Sequence, residues 1–147
     1  MTQAERNWET LKGHLEAEYS CDLPGTLAGL TEDCVFEIVP LGLVVRGKAG
    51  VAEVYRTRFR DYPDLHTDVT RKVVGDDCIV LEGISSATPK GNLWGLPASG
   101  QSIRLPIVLV IPFRDGKMLG ERAYFDGYEL RRQLGLFPDG AGKEKRP

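Results

Sequence analysis

Apolar residues in the first sixty positions recur at intervals of three and four, the spacing of one helix face. In the first segment these residues are Trp8, Leu11, Leu15 and Tyr19. They predict a helix from about Gln3 to Tyr19. Asp22 is typical of an N-cap and Pro24 of a first turn, so a short second helix is predicted next. Its apolar face would contain Leu23, Leu27 and Leu30.

A third helix is predicted between two groups of turn-forming residues. The glycines of residues 47–50 precede it, and Pro63 within residues 61–64 ends it. Its apolar positions in register are Val51, Val54, Tyr55 and Phe59.

The pattern changes to β-favouring runs beyond residue 64. Strands are predicted at residues 65–74, 78–88, 101–113 and 117–125, with a Gly/Pro-rich loop at 89–100. The turns at 75–77 and 114–117 predict two hairpins. Residues 34–39 and 43–46 also favour strands, and a short helix through Leu130 and Leu134 follows the last one. Three helices followed by consecutive antiparallel strands indicate an α+β fold, with the helices on one face of a curved sheet.

Length and composition limit the possible functions. The 147 residues suit one domain, which we expect at residues 1–137 with a polar tail at 138–147. A net charge of −2 would not attract polyanions, so nucleic acid is not expected as a partner. Three cysteines without C-x-x-C spacing, no secretory signal and no membrane-length apolar run predict a cytoplasmic protein without membrane contact.

No metal or nucleotide cofactor is expected. The two histidines, His14 and His66, are far apart and do not share a face, so they cannot form a multi-histidine metal site. Neither G-x-G-x-x-G nor G-x-x-x-x-G-K-[ST] occurs.

Several short motifs appear in a characteristic order along residues 5–136. They are Asp22-Leu23, residues 47–59, Pro63-Asp64-Leu65, Gly95-Leu96-Pro97 with Gly100, residues 113–117, and Tyr124-Phe125-Asp126 leading to Gln133-Leu134-Gly135. In this order the chain resembles the nuclear transport factor two-like superfamily, within it the SnoaL-like polyketide cyclase branch. The resemblance implies a cone-shaped barrel with a mostly apolar pocket, and a homodimer formed through the outer sheet face. It also implies a pocket acid at the end of the last strand, which here is Asp126.

Asp126 has two possible roles. Beside apolar side chains a carboxyl group loses hydration and its pKa rises, so Asp126 could act as a general acid/base. Alternatively, Asp126 and Glu129 have the spacing of a capping box at the start of the last helix. The resemblance favours chemistry.

Period-two alternation divides the last strand into two faces. Arg122, Tyr124 and Asp126 share one face, and Glu121, Ala123 and Phe125 share the other. If the first face is inward, Arg122 could keep Asp126 ionised and Tyr124 could donate a hydrogen bond to a substrate oxygen. If the second is inward, Glu121 becomes the pocket acid.

Further candidates follow from the resemblance. His14 corresponds to the oxyanion-binding tyrosine of the related ketosteroid isomerases, although a histidine at the edge of an apolar stripe can also be solvated. The two acids of those isomerases would fall near Ile38 and Leu109, both hydrocarbon here, which argues against steroid isomerisation. Trp94 could cap the pocket or anchor its loop. Trp94, Tyr19, Tyr55, Phe59, Glu121 and Leu109 are the predicted ligand-binding residues.

The leading hypothesis is a small enzyme without a cofactor. It would cyclise or isomerise an apolar carbonyl compound, such as a polyketide intermediate, through Asp126 with Arg122, Tyr124 and His14. A rebuilt acid/base pair of His14 and Asp126 is a variant of this hypothesis. The alternative is a non-catalytic module of the same fold that binds a small ligand or mediates dimerisation.

Overall fold

The computed structural model describes residues 1–137. Local hydrogen bonds determine where its first two helices begin. The Glu5 amide donates to Thr2 Oγ1 at 3.1 Å and the Thr2 amide donates to the Glu5 carboxylate at 2.6 Å, a capping box. Helix α1 then spans Gln3–Tyr19, as predicted. The Asp22 side chain accepts a hydrogen bond from a first-turn amide, and α2 spans Leu23–Ala28.

Strand β1 begins earlier than the sequence pattern predicts. Helix α2 is capped at Gly29 and β1 spans Leu30–Ile38, so Leu30 belongs to the strand and not to the helix face. The Met118 amide donates to the Gly29 carbonyl oxygen at 2.8 Å, and Leu30 pairs with Met118 in the sheet. Long-range pairing therefore decides the conformation of a segment whose local spacing favours a helix.

The other elements follow the predicted order. After a 3-10 turn at Val39–Leu41 come β2 (Leu43–Arg46), α3 (Lys48–Asp61), β3 (His66–Val74) and β4 (Cys78–Ala87). The chain continues with β5 (Ile103–Arg114), β6 (Lys117–Tyr124) and α4 (Gly127–Gln133). The predicted tail at 138–147 lies outside the described residues.

The six strands form one sheet in the order β2-β1-β6-β5-β4-β3. Four of its ladders are antiparallel, as expected, while β1 and β6 pair in parallel. This parallel ladder joins the first strand to the last, because the chain has crossed the whole sheet before β6 returns beside β1. The α+β fold, with helices on a curved sheet and a short C-terminal helix, is confirmed.

Two hydrophobic clusters fill the space between the sheet and the helices. The larger one, under α1 and α3, includes Leu11, Phe36, Tyr55, Leu81 and Ile111. The smaller one, where α4 meets the loop after β4, includes Tyr62, Leu93, Ile103, Leu130 and Leu134. Trp94 and Phe125 pack against both clusters.

Strand β6 contains a bulge at Gly120, whose φ is +117°. Met118 and Glu121 are both buried, although a regular strand turns residues three apart to opposite faces. The register between β5 and β6 shifts within this segment. The bulge therefore determines which face of the following residues points inward.

Apolar side chains remain exposed on the outer face of the sheet. Val44 of β2 is 47% exposed, Val73 of β3 is 56% exposed and Tyr124 of β6 is 39% exposed. Among residues 1–137, no helix has the length and apolar character needed to cross a membrane.

We expect Gly120→Ala to destabilise the fold strongly. A Cβ at this position would collide with the backbone carbonyl oxygen of Val35, and a φ of +117° strains any L-residue with a side chain. The free energy of unfolding should fall by more than about 2 kcal/mol in urea denaturation. Gly13→Ala is the control: it lies inside α1 with open space around it, and should leave stability unchanged or raise it by about 0.5–1 kcal/mol. Equal stability of the two variants would contradict the role of the bulge.

Candidate functional site

A cavity of about 110 Å³ lies between the sheet and the C-terminal ends of α1 and α3. This space has room for a few water molecules or for one small organic molecule. Most of its wall is hydrocarbon and includes Phe36, Ile38, Ile103, Leu105, Leu109 and Leu130. The few polar side chains that reach it must therefore fix the orientation of any ligand.

Glu121 is the acid that points into this cavity. The bulge at Gly120 turns its side chain inward beside Phe36, its partner in the ladder with β1. The residue is only 8% exposed, and its carboxyl group has no hydrogen-bond partner among residues 1–137. Burial raises the pKa of Glu121, while the charge of Arg58, and that of His14 when its ring is protonated, act to lower it. The result is a carboxyl group that holds its proton more tightly than an ordinary glutamate.

Glu18 and Arg58 form a buried ion pair at the cavity wall. Glu18 lies in the last turn of α1 and Arg58 in the last turn of α3, and an Arg58 Nη donates to a Glu18 carboxylate oxygen. The second Nη donates to the carbonyl oxygen of Leu65 at 3.4 Å. Burial lowers the pKa of Arg58 to about 10, so the guanidinium remains charged at neutral pH. The pair places a fixed cation near Glu121 without adding net charge.

His14 lies behind the cavity with its tautomer fixed by hydrogen bonding. Its Nδ1 lies 2.8 Å from the carbonyl oxygen of Thr26, which can only accept, so Nδ1 carries the hydrogen. Nε2 of the neutral ring then accepts from the Tyr55 hydroxyl at 3.2 Å. Glu18 Oε2 lies 3.3 Å from the same Nε2 and would favour a protonated ring. Burial has the larger effect and lowers the pKa of His14, so the neutral ring is the resting form.

The three other predicted catalytic residues lie outside the cavity. Asp126 is exposed, and its Oδ1 accepts a hydrogen bond from the Glu129 amide at 3.0 Å, which makes it the N-cap of α4. Arg122 and Tyr124 are exposed on the outer face of β6. The inward face of the last strand is thus the one that contains Glu121. Of the two roles considered for Asp126, its contacts are those of a helix cap.

The predicted ligand-binding residues divide into three groups. Trp94, Leu109 and Glu121 line the cavity. Tyr55 and Phe59 belong to the core behind it, with their rings 5.8 Å apart. Tyr19 is half-buried, and its hydroxyl donates to the carbonyl oxygen of Thr67 at 3.2 Å.

Sequence reasoning missed several polar residues of the cavity wall. Glu18, Arg58, Thr67 and Ser85 all line it. Two of them carried a signal: Glu18 is four residues after His14, and Arg58 is three after Tyr55, so each lies on the buried side of its helix. A charged residue on an apolar helix face is rarely buried without a partner, and here the two are partners.

Residues 12–134 match the family model of the SnoaL-like polyketide cyclases. A search of curated proteins finds no significant match. Within residues 1–137, no group of three or more histidine, cysteine, aspartate or glutamate side chains is arranged to hold a metal ion.

Solved structures with different described activities share this fold. A proposed SnoaL-like polyketide cyclase from Jannaschia sp. CCS1 superposes with a TM-score of 0.80 at 19% identity, covering 91% of this chain and 94% of its own. AclR, a proposed hydroxylase from Streptomyces galilaeus, superposes with a TM-score of 0.74 at 23% identity, covering 93% of this chain and 100% of its own. An epoxide hydrolase from M. tuberculosis, described as LEH-like, superposes with a TM-score of 0.72 at 19% identity, covering 90% of this chain and 91% of its own. At these identities the likeness shows the fold alone.

We expect strong coupling between Glu18 and Arg58. Either Glu18→Gln or Arg58→Met leaves a buried charge without its partner, so each should lower the free energy of unfolding by about 3–5 kcal/mol. The double variant should lose much less free energy of unfolding than the sum of the two single losses, because neither charge remains. Urea denaturation of the four proteins measures the coupling.

The exposed pair Glu53 and Arg56, also on α3, is the matched control for this cycle. Its side chains are 69% and 56% exposed, and its coupling should stay below about 1 kcal/mol. Similar coupling energies for the two pairs would contradict the importance of burial.

Proposed function

The chain belongs to the SnoaL-like polyketide cyclase family, and we propose that its cavity binds a small apolar carbonyl compound on which Glu121 performs acid/base chemistry without a cofactor. A compact polyketide-derived ketone is one such compound. The observation that carries the proposal is the buried, unpaired carboxyl group of Glu121 inside a hydrocarbon wall. Asp126, the acid that the resemblance implies, is not part of the proposal because it is exposed and caps α4.

The raised pKa of Glu121 suits a residue that must both take and return a proton. As a carboxylate, Glu121 removes a proton from the carbon beside the ligand carbonyl. The electrons of that C–H bond move to the carbonyl oxygen and form an enolate. The negative charge passes from Glu121 to the ligand, and the nearby Arg58 cation favours both states.

The protonated Glu121 then completes the reaction in one of two ways. If the ligand has a carbon–carbon double bond next to the deprotonated carbon, the enolate is a dienolate, and Glu121 returns the proton to its far (γ) carbon, which moves the double bond and isomerises the ligand. Alternatively, the enolate carbon attacks a second carbonyl of the same molecule, and Glu121 protonates the resulting alkoxide, which closes a ring. Both routes balance in protons and electrons without a cofactor.

A binding module without catalysis is the second candidate function. The wall of the cavity is mostly hydrocarbon, and Glu18 and Arg58 neutralise one another, so shape and apolar contact alone could hold a ligand. This candidate differs from the first in one respect: Glu121 would hold its proton throughout.

We also propose that the protein forms a homodimer through the outer face of the sheet. Val44, Val73 and Tyr124 lie exposed on that face, and an apolar sheet surface is typical of a permanent interface. The resemblance described above implies the same arrangement.

We expect the protein to exchange the α-protons of 2-tetralone for deuterium in D₂O, measured by proton NMR against a protein-free blank. Glu121→Gln should reduce this exchange at least about 100-fold, because it removes the group that accepts the proton. Asp126→Asn is the control and should exchange like the wild type, since asparagine caps a helix nearly as well as aspartate. Binding of 2-tetralone without any exchange by the wild type would favour the binding module.

The pH dependence of this exchange checks the state of Glu121. Exchange requires the carboxylate, and burial raises its pKa above the ordinary 4.5. The blank-corrected rate should therefore rise with pH through a range above 4.5 and then level off. A midpoint at or below 4.5 would argue that another group removes the proton.

For the dimer, we expect sedimentation equilibrium to give a mass twice that of the 16.3 kDa chain. The Tyr124→Lys variant should be more monomeric than the wild type, because the substitution buries a charge in the interface. Arg56→Glu, on the exposed surface of α3, should leave the mass unchanged. A monomeric wild type at 100 μM or so would reject the dimer, since permanent dimers are far tighter than this.

A further inference from the structure

Three buried hydrogen-bond donors in the cavity wall have no acceptor. Among residues 1–137, four buried side-chain polar atoms lack a hydrogen-bond partner. Three of them belong to residues that line the cavity: the Tyr62 hydroxyl, the Trp94 indole N–H and Arg58 Nε. The indole and the guanidinium can only donate, and the hydroxyl has one hydrogen to donate. Because a buried donor without an acceptor destabilises the folded protein, three of them in one wall indicate a ligand that brings an acceptor.

The backbone at Trp94 is also unusual. Trp94 and Gly95 are the central residues of a tight turn in which the Leu96 amide donates to the carbonyl oxygen of Leu93 at 2.9 Å. Their φ angles are +52° and +79°, and two positive values are typical of a type I′ turn. Glycine, asparagine and aspartate favour such positions, whereas a bulky side chain is strained there. Strain of this kind is concentrated at functional sites, and here it places an indole with an unpaired N–H in the cavity wall.

Tyr62 and Trp94 lie in the same part of the wall. Tyr62 is a buried member of the smaller hydrophobic cluster, against which Trp94 packs. The loop that contains Trp94 also contacts the end of α3, where the Lys90 amide donates to the carbonyl oxygen of Asp61 at 2.7 Å. Tyr62 follows Asp61 directly and is only 4% exposed. The hydroxyl and the indole N–H therefore belong to one polar region of a largely apolar cavity.

This region adjoins Glu121. The rings of Trp94 and Phe36 are 6.3 Å apart, and Phe36 is the partner of Glu121 in the ladder between β1 and β6. Tyr62 lies one helical turn after Arg58, whose charge acts on Glu121. A compact ligand can therefore contact the two donors with an oxygen and Glu121 with a neighbouring carbon.

We propose that the Tyr62 hydroxyl and the Trp94 indole N–H donate hydrogen bonds to the carbonyl oxygen of the ligand. When Glu121 removes the neighbouring proton, the electrons of the C–H bond move to that oxygen, and both hydrogen bonds strengthen with its negative charge. Glu121 supplies the base, and the two donors stabilise the enolate that the base creates. This inference rests on the proposed function in taking the ligand to be a carbonyl compound. It assigns the reacting oxygen to two residues outside the buried ion pair.

The test compares 2-tetralone with tetralin, the hydrocarbon that has the same ring skeleton without the oxygen. Isothermal titration gives both dissociation constants for the wild type and for Tyr62→Phe, which removes the hydroxyl and keeps the ring. The ratio of the two constants should move about fivefold toward tetralin in the variant, the value of one ordinary hydrogen bond. Tyr128→Phe is the matched control and should keep the wild-type ratio, because Tyr128 is 53% exposed on α4. An unchanged ratio in Tyr62→Phe would overturn the proposal.

Trp94 is tested by a replacement that keeps its shape. Benzothienylalanine, introduced at position 94 by codon suppression, has sulfur in place of the indole N–H. The ratio of the two constants should again move about fivefold toward tetralin. A wild-type ratio in this protein would overturn the assignment of two donors.

Thermal unfolding distinguishes a ligand-binding hydroxyl from a structural one. Because the Tyr62 hydroxyl has no partner in the ligand-free protein, Tyr62→Phe should keep or raise the melting temperature. A fall of about 5 °C or more would show that the hydroxyl stabilises the fold through a partner of its own, and would overturn the proposal.

Proton exchange separates the two donors from the acid/base role. At saturating 2-tetralone, Tyr62→Phe should slow deuterium exchange at least about tenfold, because its hydrogen bond strengthens as charge develops on the oxygen. Exchange at the wild-type rate would overturn this part of the proposal. If the wild type binds 2-tetralone without exchange, the acid/base role fails, while the binding ratio still decides the role of Tyr62 and Trp94. If it binds neither probe, these donors do not serve a carbonyl ligand and the proposal is overturned.

Discussion

The inward orientation of Glu121 depends on a single backbone irregularity, the bulge at Gly120. Counted from the buried Met118, a regular strand would turn residues 120, 122, 124 and 126 toward the core. The bulge shifts this alternation by one residue, so that Glu121 and Ala123 face the cavity. Only glycine adopts the positive φ without strain, and only glycine leaves room for the carbonyl oxygen of Val35. The inward direction of the Glu121 carboxyl group thus depends on the glycine at position 120.

The charges around the cavity are arranged so that Glu121 is costly to ionise but not prevented from ionising. An isolated carboxyl group in a hydrocarbon wall would stay protonated at neutral pH. The charge of Arg58 acts in the opposite direction and lowers the pKa of Glu121, and His14 does the same only when its ring is protonated. Glu18 offsets part of the Arg58 charge through their ion pair. The pKa of Glu121 therefore reflects a balance between burial and a cation that is already paired, which is the condition for reversible proton transfer.

Local sequence signals predicted the elements well and the site only in part. Helix α1, the hairpins and the cap at Asp126 follow from spacing and from short-range hydrogen bonds, which the sequence contains directly. The predicted start of β1 was four residues too late, because the sheet pairing of Leu30 with Met118, 88 positions away, outweighs the helical spacing of Leu30. The two faces of the last strand were correctly separated by alternation, but alternation could not decide which one is inward. That decision depends on the bulge, for which Gly120 inside a β-favouring run was the available signal, although a glycine alone does not specify the direction of the register shift.

The same fold serves several activities because its inward positions can be exchanged without changing the sheet. In this chain Ile38 and Leu109 both line the cavity as hydrocarbon. Hydrocarbon at these positions keeps the polarity around Glu121 low, and this burial raises its pKa. Thr67 and Ser85 add two hydroxyl groups on the β3–β4 side of the cavity, and these are joined to each other by a hydrogen bond.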